Sequence, residues 1–125
     1  MNNNNALPMV DVKRWLEAVE QTTDTDNDAQ RKLYAKLISE EFSEFFAAFV
    51  DEDDIEQLDA CADMIWVIVG YALSRGWDIE GAWREVTRSN FSKFDVDTGL
   101  PIKNPQTGKI MKPSTFSEPD LKQFI

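Results

Sequence analysis

The stretch Leu33-Tyr-Ala-Lys-Leu-Ile-Ser-Glu-Glu-Phe-Ser-Glu-Phe-Phe-Ala-Ala-Phe49 decides the fold. At about 100° per residue, Leu33, Tyr34, Leu37, Ile38, Phe45, Ala48 and Phe49 fall on one broad arc of a helix. Glu41 lies inside that arc, Glu44 projects between Leu33 and Leu37, and Glu40 sits just off the arc's edge. The three carboxylates therefore belong to the apolar side of the helix and not to its solvent face. Withdrawing an unpaired carboxylate from water is costly, and clustering like charges adds to the cost, so the pattern calls for a compensating cation or basic partner.

Working outward, the next apolar run repeats the anomaly. From Leu58 to Leu73 the only ionisable side chains besides Cys61 and Tyr71 are Asp59 and Asp63, one helical turn apart on one face. Two acidic faces on consecutive helices can meet. All candidate donors are oxygens: Glu40, Glu41 and Glu44 on one helix, Asp59 and Asp63 on the next. A hard divalent cation, Mg²⁺ or Mn²⁺, suits that set. Glu56 lies almost in line with Asp63 but reads as a first-turn residue that complements the helix dipole.

The remaining segments complete an all-α chain. Val12, Trp15, Leu16 and Val19 follow i, i+3, i+4 and i+7 spacing and predict a first helix, ended by the polar residues from Gln21. Asp28 caps the second helix, with Asn27 as the alternative start, and that helix runs to about Val50. The turn Asp51-Glu-Asp-Asp opens a third helix that continues to Arg75 before Gly76. Asp78 caps a fourth, with Ile79, Trp83, Val86 and Phe91 turned inward, ending near Ser89 and Asn90. Beyond Asp95 the turn residues, with β-prone pieces at Pro101-Ile-Lys and Lys109-Ile-Met-Lys, predict a small hairpin or an extended arm. No internal repeat stands out. The expected architecture is an antiparallel four-helix bundle in one domain, residues 1–125, with a helical core at about 10–93 and an arm at about 95–125.

Composition narrows the function. A 125-residue chain with 42% hydrophobic residues can form a core, and helices with two apolar faces call for completion by a second copy, in a homodimer or homotetramer. A net charge of −10 argues against duplex nucleic acid and anionic membranes as partners, but not against a nucleotide bridged by metal. One cysteine and no histidine exclude disulfides within the chain, a histidine-based triad and the usual zinc sites. The start MNNNN has no signal-peptide character and no apolar run is long enough to span a bilayer, so a cytoplasmic protein is expected.

Ser39-Glu-Glu-Phe-Ser-Glu-Phe resembles the Glu-Glu-x-x-Glu helix of the MazG-like, all-α nucleoside triphosphate pyrophosphohydrolases. Ala62-Asp-Met-Ile-Trp-Val-Ile-Val-Gly resembles the second metal helix of that family. Arg88-Ser-Asn-Phe-Ser-Lys-Phe and Gly108-Lys-Ile-Met-Lys-Pro look like the phosphoribosyl-ATP pyrophosphohydrolase-like branch. The resemblance implies Mg²⁺-dependent cleavage between the α and β phosphates, giving a nucleoside monophosphate and pyrophosphate. It carries metal-ligand roles onto Glu41, Glu44 and Asp63, and gives Glu40 a part in holding metal or activating water alongside Glu41. It departs at Ala60, where the family has glutamate, leaving Asp59 as the substitute ligand. Asn90 and Lys93, with Arg88 as a weaker candidate, are expected to donate to phosphate oxygens. Trp15 can stack a nucleobase, but its place on the apolar stripe of its helix favours the core. A non-catalytic acidic module binding a basic protein, or an enzyme acting on phosphoribosyl-ATP, are the competing functions.

Overall fold

The computed structural model describes residues 8–125; the asparagine-rich start, and the reading that it is no signal peptide, lie outside the described residues. The described residues form four α-helices: α1 (Pro8–Ala18), α2 (Asp28–Val50), α3 (Asp54–Ser74) and α4 (Ile79–Phe91). None is long and apolar enough to cross a membrane. The chain divides into two compact units, one running through Ile79 and including Ile125, the other Glu80–Phe124.

In the first unit α3 is the shared element, packed against both α2 and α1. Pro8 opens α1, where a missing amide hydrogen costs no helical bond, and Val12 and Leu16 are completely buried. They join Tyr34 of α2 and Val67, Val69 and Leu73 of α3 in the core. Asn27, not Asp28, caps α2: its backbone is extended (φ −114°, ψ 105°) and its side chain accepts from the Gln30 amide at 3.1 Å. Asp28 instead lies in the first turn, paired with Arg31 at 3.2 Å and Lys32 at 2.8 Å. Either Asx residue can cap, and the extended backbone decides which one does.

Gln30 ties the loop between α1 and α2 to the end of α3. Its Nε2 donates to the Thr22 carbonyl and to Ser74 Oγ, both at 2.8 Å, while its Oε1 accepts from the Thr22 amide at 2.9 Å. A buried amide is thus satisfied at both ends, the condition under which burying it is tolerable.

The helix pair α2–α3 is antiparallel, joined by a turn so short that the Asp53 amide bonds back to the Ala48 carbonyl at 3.0 Å. Asp53 also caps α3, accepting from the Glu56 amide at 3.1 Å. At the far end Gly70 faces the ring of Tyr34: a Cβ built there would stand 2.5 Å from Tyr34 Cδ1. The absence of a side chain at Gly70 therefore sets how closely the helices approach.

The second unit holds α4 against the C-terminal arm through a polar face. Glu85 accepts from Arg88 Nε at 2.7 Å and from the Asp120 amide at 2.7 Å, and Ser89 Oγ donates to the Ser117 carbonyl at 2.8 Å. The Arg88 guanidinium and the Asp120 amide hold the Glu85 carboxyl down at about 2, well below its ordinary value. Because the arm covers the polar face, Trp83 and Phe91 are not inward as expected but 62% and 64% exposed.

The arm also contains a repeat that the sequence reading missed. Asp95 Oδ1 accepts from the amides of Asp97 and Thr98, Thr98 Oγ1 accepts from the Leu100 amide, and Gly99 has φ +69°. Asn104, Gln106, Thr107, Lys109 and Gly108 (φ +72°) reproduce every one of those bonds. Each turn closes an isolated antiparallel bridge, Phe94 with Pro101 and Lys103 with Ile110. The shared signal is Asp or Asn followed three residues later by Thr-Gly, which supplies side-chain acceptors and a left-handed position.

Substituting Gly70→Ala should lower stability by about 1–3 kcal/mol through overpacking against Tyr34. Urea unfolding checks this, and Tyr34→Leu in the same chain should recover part of the loss; an unchanged midpoint for Gly70→Ala would show that the helices separate without cost.

Candidate functional site

The α2–α3 register determines which acids meet. From the Tyr34–Gly70 contact, two helical turns forward along α2 lead to Glu41 and two turns back along α3 lead to Asp63. Continuing toward the turn, Ala48 meets Gln57, whose Nε2 donates to the Ala48 carbonyl at 3.3 Å. Glu44 and Asp59 fall between these two fixed points.

The electrostatics agree with that register. Glu41 is only half-buried as a residue, yet its Oε2 is closed off from water and has no hydrogen-bond partner. Desolvation, followed by the neighbouring Glu44, Asp63 and Asp59 carboxylates, pushes the Glu41 carboxyl up to about 7. Asp63 is raised too, first by desolvation and then by Asp59 and Glu44. Every neighbouring group that shifts these two acids is another acid.

Glu41, Glu44, Asp59 and Asp63 are therefore brought together. Glu40 is exposed and is not among the groups that raise Glu41 or Asp63. Glu44 and Asp59 are also exposed, so of the acids read as lying off the solvent face of α2, Glu41 alone is shielded. Ala60 is buried at 2% exposure, whereas Asp59, one position earlier, stands on the side that faces Glu41.

The donor set suits a hard cation: all oxygens, net negative, with one buried oxygen lacking any partner. Among the described residues no three acids or cysteines are grouped closely enough to hold an ion as they stand. Sequence reasoning overlooked the extent of the acidic surface. Glu44 and Asp59 share a cleft of about 490 Å³ with Asp51, Asp53 and Glu56. The signal was the run Asp51-Glu-Asp-Asp, read only for its role at the helix start.

The other candidates lie elsewhere. Trp15 is not core: it is 48% exposed, and its ring meets Trp66 edge-on at 6.4 Å. Only the stripe of Val12 and Leu16 beside it is sealed. In the second unit, Asn90 is exposed on α4 and Lys93 stands 5.9 Å from the Phe116 ring. Arg88 is committed to Glu85 and to the Glu118 carbonyl at 3.1 Å, which makes it an anchor of the arm.

An all-α chain whose central antiparallel pair gathers carboxylates around a shielded oxygen falls in the class of helical pyrophosphohydrolases. The chain belongs to the phosphoribosyl-ATP pyrophosphohydrolase family, whose model matches residues 11–90. That span contains all of α2 and α3, hence all four clustered acids, while the arm lies outside it. No curated protein matches the chain. Membership makes a pyrophosphohydrolase type of activity on a nucleotide the family-level function of the chain.

The raised Glu41 has a measurable consequence in metal-free protein. Its carboxyl binds its proton more tightly folded than unfolded, so its contribution to stability is full below about 4.5 and is lost as pH rises through about 7. The difference in melting temperature between wild type and Glu41→Gln should therefore shift in favour of the variant from pH 5 to pH 8. A difference independent of pH would mean that Glu41 ionises as freely folded as unfolded.

Proposed function

We propose that the protein is a Mg²⁺-dependent nucleotide pyrophosphohydrolase that cleaves the bond between the α and β phosphates of a nucleoside triphosphate. The observation that carries this reading is the shielded, unpartnered Glu41 Oε2 among the carboxylates of Glu44, Asp59 and Asp63. Mg²⁺, or Mn²⁺, held by these four acids would offset their mutual repulsion and draw electron density from phosphate oxygens. In the reaction the water oxygen bonds to the α-phosphorus, the bond from that phosphorus to the bridging oxygen breaks, and pyrophosphate departs. Glu41, or Glu40, which is exposed one position earlier, accepts the proton of the attacking water. Asn90 and Lys93, in the second unit, keep in this proposal the phosphate-donor role that the resemblance gives them. The family description favours phosphoribosyl-ATP as a second substrate.

The same reading has the chain acting in the cytoplasm as a homodimer or homotetramer. Support for assembly comes from α2 and α3, where Phe42, Phe46, Phe49, Ile55, Leu58 and Ile65 remain exposed, more apolar surface than a monomer ordinarily leaves in water.

Pyrophosphate release should be measured with Mg²⁺ across canonical and modified nucleoside triphosphates and phosphoribosyl-ATP. Turnover of at least one is expected, with Glu41→Gln and Asp63→Asn each lowering kcat about 100-fold or more. A larger loss in Glu40→Gln than in Glu41→Gln would move the proton acceptor to Glu40. No turnover by folded protein throughout the panel, with Mg²⁺ or Mn²⁺, would overturn the enzymatic reading.

A further inference from the structure

A second cleft in the first unit shares none of its lining residues with the acidic one. It has a volume of about 820 Å³ and is lined by Asp11, Arg14, Trp15, Glu17 and Ala18 of α1 and by Trp66 of α3. Two tryptophans stand at 48% and 38% exposure here, their rings 6.4 Å apart at 65°, so one ring edge meets the other ring's face. That leaves aromatic surface open to solvent, where a flat ligand can stack.

The position of Trp66 links this cleft to the acids. Asp59, Asp63 and Trp66 follow i, i+4 and i+7 spacing, a single face of α3. From Asp63 to Trp66 is less than one helical turn, about 4.5 Å along the axis. Toward α2 this face carries the carboxylates that meet Glu41; toward α1 it carries the ring that meets Trp15. A ligand with a phosphate at one end and an aromatic ring one sugar away has the matching polarity and extent.

We infer that Trp15 and Trp66 form the base-binding shelf of the site, stacking the nucleobase while the phosphates lie toward Asp63. Asp11, Arg14 and Glu17 surround the shelf with acceptors and donors for the edges of the base. Arg14 and Asp11 are 4.0 Å apart and largely exposed, so a base edge can exchange with water for either group. The inference rests on the proposed nucleotide site, since it assigns the base end of the same substrate. Stacking on an aromatic side chain is sequence-tolerant, and preference among bases then falls to the three charged side chains at the rim.

Two measurements separate this inference from the proposed activity. The first is tryptophan fluorescence with Mg²⁺ present, titrated with the 5′-monophosphates of adenosine, guanosine, cytidine and uridine and with ribose 5-phosphate. Saturable quenching by at least one nucleotide but not by ribose 5-phosphate is expected, weakened roughly 5- to 100-fold in Trp15→Ala and Trp66→Ala. Trp15→Phe should retain most of the affinity, which distinguishes loss of stacking from loss of fold, with circular dichroism checking the alanine variants. The second is steady-state kinetics on whichever triphosphate turns over: KM should rise in Trp15→Ala by the same factor while kcat changes much less. Turnover with KM unchanged in both alanine variants would overturn the shelf and leave the activity standing. Nucleotide quenching without turnover would keep the shelf and sink the activity, and no quenching by any nucleotide would overturn the shelf directly.

Discussion

The close approach of α2 to α3 is the constraint on which the rest depends. Tyr34 lies against the bare backbone of Gly70 at one end, and the Ala48 carbonyl takes bonds from Gln57 and from the Asp53 amide at the other. Between two such fixed points an antiparallel pair has one register. That register puts Glu41 opposite Asp63, with Glu44 and Asp59 beside them. Slipping by one residue would turn the acids about 100° away from one another. The position of the acids is thus a consequence of small residues and a tight turn, none of which is itself acidic.

The pairing has an electrostatic cost visible in Glu41 and Asp63, both of which bind protons more tightly than free carboxyls do. The order of causes is informative. Desolvation is the largest single cause for both; a hydrogen bond with Glu44 comes next for Glu41, and the charge of Asp59 next for Asp63. Adding further acids at the rim, as Asp51, Asp53 and Glu56 do along the adjoining cleft, lowers the local potential without burying anything.

Much of this was legible in the sequence, and the failures share a cause. Helix class and ends followed from apolar spacing and from Asx residues at the starts, and the family was identifiable from Glu40, Glu41, Glu44 and Asp63. A helical wheel gives direction but not depth. It put Glu44 on the apolar side, where the residue is in fact exposed, and favoured the core for Trp15, which is half exposed. Trp83 and Phe91 were read as inward because apolar residues usually are, yet α4 offers its polar face to the arm through Glu85, Arg88 and Ser89. The twin turns at Asp95 and Asn104 were missed because the repeat lies in side-chain acceptors and left-handed glycines, while the intervening residues differ. The substitution of Ala60 for the family's glutamate was visible, but only the packing shows that residue buried and Asp59 turned to the acids.

The rigidity of the pair limits how its charge can be relieved. Separating the helices would unpack Tyr34 from Gly70 two turns on one side and break the bonds to the Ala48 carbonyl two turns on the other. Glu44 and Asp59 can swing into solvent, but Glu41 Oε2 is enclosed and cannot follow them without leaving the packed face. A proton or a cation can neutralise it in place. A proton does so only near and below pH 7, whereas a divalent cation also attracts the rotating carboxylates inward. Trp66 lies less than a turn beyond Asp63 on the same helix. Because α3 carries both, the separation of the acidic and aromatic ends is set by helix geometry before any ligand arrives.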